Sequence, residues 1–131
     1  MTDSSEDGWP SYAYVPGQGP HPRRSPRGHS FGLPEPSAQA SPDERFWRNA
    51  AYRRGVALYD RGFYWEAHEA WEALWHAYGR RGPVATLLQA LIQLAAAQVK
   101  IRQAMPRGVA SLSGRAIAAL RDLERQASLP S

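Results

Sequence analysis

Apolar residues recur every three to four positions from Phe46 onward and show no such period before it. That is the spacing of helices packed on one face. The first helix is expected to open at Ser41-Pro42-Asp43-Glu44. Ser at the cap, Pro in the first turn and Glu three residues on make a capping box there. It runs to about Arg61 and ends at Gly62. The second, Tyr64 to Tyr78 (YWEAHEAWEALWHAY), follows a tight Gly62-Phe63 turn and forms an antiparallel hairpin with the first. Gly79-Arg80-Arg81-Gly82-Pro83 closes it, with Gly for the cap and cations at the negative dipole end. The third, Pro83 to Ala104, is apolar on nearly every side, which suits the middle of a bundle. The fourth runs from near Pro106 to about Gln126, with Leu112, Ala116, Ala119, Leu120 and Leu123 inward. No run alternates with period two. The fold class is therefore all-α: a small four-helix bundle with an antiparallel helix hairpin and a central apolar third helix.

Residues 1–41 lack this pattern. Seven prolines and five glycines give them the composition of a disordered tail. The expected organisation is a Pro/Gly-rich disordered tail over 1–41 and a single helical domain over 42–131. Trp9, Tyr12, Tyr14 and Phe31 are expected to be solvated there rather than to hold a partner. The chain has no cysteine, which excludes disulfides, thiol catalysis and thiolate metal sites. Its formal charge is +4, and the arginines are scattered rather than striped. That argues for weak net-charge attraction to polyanions and against specific nucleic-acid recognition. No apolar run suits a signal peptide. The longest apolar stretch, Val84 to Val99, is broken by Gln89, Gln93 and Gln98 and falls short of the ~20 residues of a span. No membrane association is expected, and the expected location is the cytoplasm.

Candidate chemistry concentrates in the second helix. At about 100° per residue, His68 falls in the middle of an aromatic face. Tyr64, Trp71 and Trp75 lie on one side of it, Glu72 and Trp65 on the other, and Glu66 and Glu69 toward the opposite face. His68 and Glu72 form an i,i+4 pair aimed at whatever the helix packs against. Buried without partners they would cost about 3–5 kcal/mol. Arg53 of the first helix either snorkels to solvent or reaches Glu72. Gln89, Gln93 and Lys100 form a polar stripe on the third helix, and glutamines framed by aliphatics need partners inside the protein. Three readings stay open. One is a buried polar network in which Glu72 accepts from Arg53 and a Gln amide. A second is a divalent metal site, where His68 and Glu72 supply two of the three or four protein ligands zinc takes. The third is a pocket for a small ligand or a reaction, since His plus carboxylate is the orienting half of a triad. No Ser or Thr in a nucleophile turn accompanies the pair, and enzymatic activity is left open.

Two resemblances bear on this. Gly55, Gly62, Ala67, Trp71 and Leu74 fall close to the spacing of a single tetratricopeptide helix hairpin, without a second repeat. This implies hairpin geometry and offers an interaction module as an alternative function, with a protein partner or a second copy of the chain. More extensively, residues 46–125 resemble a bacterial and archaeal family, domain-of-unknown-function family 309. Its hallmark H-x-x-x-E-x-x-W/Y is met by His68, Glu72 and Trp75, and LYDRGFYWEAHEAWEALW and LLQALIQLAAA are similar to that family too. The resemblance implies an all-helical bundle and a suggested metal-binding role for the His and Glu, with no substrate or reaction. The chain departs from the family where Ala90 replaces a common Gly and Ala104-Met105 replaces a common Gly-Asn. Both changes bear on loop shape more than on the His/Glu pair. The function expected is that of a small helical domain with a buried or pocket-lining His/Glu site of unknown role.

Overall fold

A computed structural model of the chain describes residues 8–128. The start of the expected tail, 1–7, and the last residues, 129–131, lie outside the described residues. A 3₁₀ helix, Asp43–Arg48, precedes four α-helices: α1 Ala50–Asp60, α2 Tyr64–Ala77, α3 Pro83–Arg102 and α4 Pro106–Ser128. Among the described residues there is no strand, and the class is all-α as the periodicity requires.

The first helix does not open where the capping box suggested. Ser41 is taken by a tertiary contact. Its N–H donates to the Tyr78 hydroxyl at 3.1 Å, and that hydroxyl donates back to the Ser41 carbonyl at 2.7 Å. Asn49 caps instead: its Oδ1 accepts from the backbone N–H groups of Ala51 (2.9 Å) and Tyr52 (3.2 Å). Asn is as good a cap as Ser. Asn49 is also buried, and its amide donates to Gln39 O and Ser41 Oγ. The expected single helix is thereby split at an extended residue, Asn49, with ψ 133°.

α1, α2 and α3 all terminate in the same Schellman geometry, with a left-handed residue just beyond the cap. In α1 the Phe63 N–H reaches Leu58 O (2.9 Å), in α2 Arg80 reaches Trp75 O (3.0 Å), and in α3 Met105 reaches Lys100 O (3.0 Å). The left-handed residues are Gly62, Gly79 and Ala104, the last at φ 56°. The departure at Ala104 therefore falls on the one position where a Cβ is strained. The motif survives it at a cost on the order of 1–2 kcal/mol.

The helices pack in chain order, α1 on α2, α2 on α3 and α3 on α4, which leaves α3 central as expected. Leu58, Ala67, Trp71, Leu74, Val84, Leu88 and Ala95 form the core. Gly55 is what lets α1 approach α2. A Cβ there would lie 2.1 Å from Trp71 Nε1, which donates to Tyr52 O at 3.1 Å. α3 has 20 residues and a hydropathy of 1.5, long and apolar enough to cross a membrane. This is longer than the stretch between its glutamines suggested, and its place between α2 and α4 is that of a core helix.

Residues 8–41 contain neither helix nor strand, the irregular character expected of the tail. They are nonetheless laid against the helices as a strap, with side chains that the composition placed in solvent. Trp9 has the Arg61 guanidinium 4.0 Å and that of Arg54 4.7 Å from its ring centre. Tyr14 and Val15 are buried. Gln18 donates to Arg102 O, and Gln103 donates to Pro16 O. Of the four tail aromatics, Phe31 is the one that stays exposed. Anchors spaced irregularly along a Pro/Gly-rich segment leave no period to read.

Candidate functional site

α2 is covered on two sides, by α1 and α3 through its core face and by the strap through another. Its buried residues are Glu66, Ala67, Trp71 and Leu74. The inward face is thus not centred on His68, as the helical projection had it. His68 and Glu72 sit at the rim between the two covered faces, both half-buried.

There the His68 ring is oriented by its own helix. Nδ1 lies 2.8 Å from Trp65 O. A carbonyl only accepts, so Nδ1 carries the hydrogen and Nε2 is the nitrogen left to bind something else. Nε2 is 3.9 Å from Glu69 Oε2. One ligand atom each from His68, Glu69 and Glu72 lies within 4.8 Å of the others. Glu69 was expected to face away; its side chain is long enough to swing back beside its neighbour. Its other oxygen, Oε1, receives Arg23 Nη2 of the strap at 3.1 Å. Trp65 packs edge-on to His68 and is itself contacted by Tyr14 and His21 of the strap. One imidazole and two carboxylates make a mixed N/O donor set suited to divalent transition ions such as zinc, manganese or iron.

The other residues singled out by sequence disperse. Trp71 is in the core, and Trp75 packs against that core half-buried. Tyr64 meets Tyr59 edge-on at 4.9 Å, with the Arg102 guanidinium 4.5 Å from its ring. Arg53 is exposed to solvent, and no ion pair joins it to Glu72 among the described residues. The stripe on α3 faces α4, not α2. Gln126 of α4 donates to Thr86, and a Cβ at Gly108 of α4 would lie 2.9 Å from the Lys100 stem. Thr86, Gln93 and Lys100 are seven apart and share one side of the helix. Gln89 is exposed, and Gln93 Oε1 is buried without a partner. The network of Arg53, Glu72, His68 and the glutamines does not form.

Sequence reasoning missed Glu66, which it put on the far face. Its side chain is 6% exposed. Oε2 accepts from Tyr14 N–H at 2.9 Å and from His29 Nε2 at 2.7 Å, while Oε1 has no partner. The available signal was charge: an acidic row on one helix, Glu66, Glu69 and Glu72, and a tail carrying His21, Arg23, Arg24, Arg27 and His29.

Fold and site together define a small all-α domain with a His/Glu/Glu cluster at the rim of its second helix. The sequence profile of the family described as Domain of unknown function (DUF309) matches residues 52–112, from α1 into α4, and supports the resemblance to that family. The match takes in His68, Glu69 and Glu72 and leaves the strap outside. Comparison with curated proteins and with solved structures gives no match.

Proposed function

We propose that this is a soluble cytoplasmic domain that binds a divalent metal ion through His68 Nε2 and the carboxylates of Glu69 and Glu72. The observation that carries the reading is the convergence of those three ligand atoms within 4.8 Å, on a ring whose other nitrogen is already committed to Trp65 O. Such an N–H to carbonyl bond fixes a ligand imidazole in metal-binding proteins generally. Three protein ligands leave coordination positions for water or a substrate, the pattern of open rather than structural sites.

The test is to purify the full chain without a histidine tag and determine bound metal by elemental analysis. It is then melted with chelator and with added zinc, manganese or iron. Metal at about a hundred times its dissociation constant should add roughly 2.7 kcal/mol, and His68→Ala and Glu72→Gln should each abolish the gain. No bound metal and an unchanged melting temperature across all additions would remove the reading.

A second reading, self-association, is favoured by α4. Its Ile117 and Leu120 are 49% and 40% exposed, Leu120 contrary to the inward place its spacing suggested. Light scattering of the full chain and of Leu120→Glu tests it: a dimer that the substitution dissociates is expected. A peptide-binding aromatic patch has less support. Such a patch would need Trp47, Trp65 and Trp71 exposed together, but Trp71 is buried and Trp65 lies against the strap, leaving Trp47 open.

A further inference from the structure

A cavity of about 210 Å³ lies between the strap and the two helices of the hairpin. Its walls include Leu58, Ala70, Trp65, His29 and Ser30. Four charged side chains also line it: Arg23 and Glu69, which pair with each other, and Glu66 and Arg54. It is small beside the usual 300–1,000 Å³ or so of pockets for drug-sized ligands.

Unlike the Arg23–Glu69 pair, Glu66 and Arg54 lack ionic partners of opposite fixed sign among the described residues. Glu66 uses Oε2 for Tyr14 N–H and His29, and its Oε1 is buried with no donor. A buried acceptor left unmade costs about 1–3 kcal/mol, more for a charged group. Arg54 donates to Gly8 O and stacks on Trp9, but no carboxylate pairs with it among the described residues. Loss of hydration and the nearby Arg61 both push its guanidinium below the usual range, and an anion would relieve both. The two groups line one cavity without meeting. Glu66 is buried in it and Arg54 is the exposed one of the two.

We propose that this cavity binds a small zwitterion of the α-amino-acid class, its ammonium on Glu66 Oε1 and its carboxylate on Arg54. The ammonium supplies the donor Oε1 lacks, and the carboxylate supplies the fork that a guanidinium binds in two places. Trp65, Leu58 and Ala70 leave room for only a short side chain. The site is separate from the metal ligands except for Glu69, which lines both.

The test uses the full chain, stripped of metal with chelator and desalted, so that it stands whether or not the metal reading does. Glycine, L-alanine and L-serine are titrated while backbone amide spectra are followed. Ethylammonium chloride and sodium acetate serve as single-charge probes. Saturable shifts at the Tyr14 and Ser30 amides are expected with at least one amino acid, with each single-charge probe at least tenfold weaker. Glu66→Gln and Arg54→Gln should each weaken binding tenfold or more. Because either substitution loosens a tie of the strap, Ala70→Leu is added: it fills the cavity from α2 and removes no tie. Binding that survives both Arg54→Gln and Ala70→Leu would overturn the proposal. So would the absence of saturable shifts with all three amino acids at tens of millimolar, which leaves Oε1 to an ordered water.

Discussion

Glu66 and Glu72 stand on the same helix less than two turns apart, yet they are set up for different work. Glu66 is buried and accepts two hydrogen bonds from the strap. Glu72 is half-buried, forms no ion pair among the described residues, and has its carboxylate beside His68 and Glu69. The difference lies in what covers each residue. A carboxylate that is desolvated and accepts two hydrogen bonds from the strap is a lock, and removing it strands those donors. A carboxylate with access and no donors is a ligand, and removing it costs the fold little. The sharpest way to break the comparison is to delete each one. Glu66→Ala should cost about 3 kcal/mol, because Tyr14 N–H and His29 lose their acceptor in a buried place. Glu72→Ala in chelator should stay within about 0.5 kcal/mol of the wild type. Urea unfolding measures both, with hydrogen exchange at the Tyr14 amide reporting the strap. Equal losses would erase the distinction.

Metal should then separate the two residues in the opposite sense. At about a hundredfold its dissociation constant, the ion is expected to add roughly 2.7 kcal/mol to the wild type. It should add the same increment to Glu66→Gln, which starts less stable, and nothing to Glu72→Gln, which starts unchanged. Melting curves of the three proteins with and without the ion suffice. An increment lost in Glu66→Gln as well would mean that the strap side and the rim are one site.

The helices were readable because each repeats its apolar pattern over several turns. Three of the four α-helices begin within a residue of where period and punctuation put them: Tyr64, Pro83 and Pro106. The first was displaced because two caps competed, and the loser, Ser41, was claimed by Tyr78 from far along the chain. The site was half readable. Helical projection places Cβ atoms, so it found His68 and Glu72 together but could not see Glu69 swing toward them. It also assumed one buried face, and α2 has two. The second is made by a segment whose anchors, Trp9, Tyr14, Arg23 and His29, follow no spacing rule. Gln93 illustrates the same limit. Its stripe was real, but only the position of α4 decides which neighbour the stripe faces.

Arg23 is the tie between the two regions, since it holds the Glu69 oxygen that is not turned to His68. Arg23→Gln should free Glu69 and tighten metal binding a few-fold, in line with the roughly 0.2–1 kcal/mol of an exposed ion pair. Competition titrations with a chromophoric chelator read this directly. Unchanged affinity would show that the strap and the metal ligands are uncoupled.

A milder probe of the same boundary is pH. His21 Nδ1 accepts from the N–H groups of Arg23 and Arg24, and its ring touches Tyr14 and Trp65. Desolvation, followed by Arg24 and Arg23, holds its pKa below the ordinary value, and Glu69 opposes them. The unfolded chain therefore takes up the proton first. The contribution of His21 is fully present above the unfolded value, about 6.5, and is lost as pH falls below it. Protection at the Arg23 and Arg24 amides, expressed relative to the intrinsic exchange rate at each pH, should fall below about pH 6.5 while that of amides in the α3 core holds. His21→Gln should flatten the response. Uniform loosening of strap and core together would show that the strap is not a separate unit.

The smallest effect is a control on all of these. Every comparison above assumes that a change in metal binding or strap exchange is local rather than a by-product of overall stability. Ala104 allows that assumption to be tested, because it ends α3 and contributes no ligand to the site and no anchor to the strap. It occupies, at φ 56°, the position that Gly62 and Gly79 fill in the other two Schellman turns. Ala104→Gly relieves strain on the order of 1–2 kcal/mol. Glycine also enlarges the freedom of the unfolded chain, which takes back about 0.4–1 kcal/mol. A net gain of about 0–1.6 kcal/mol is expected in urea unfolding, with metal affinity and Tyr14 exchange, expressed relative to global opening, unchanged. A gain in stability that also tightened metal binding would show that the rim of α2 answers to the fold as a whole, and the contrast between Glu66 and Glu72 would then be one of degree.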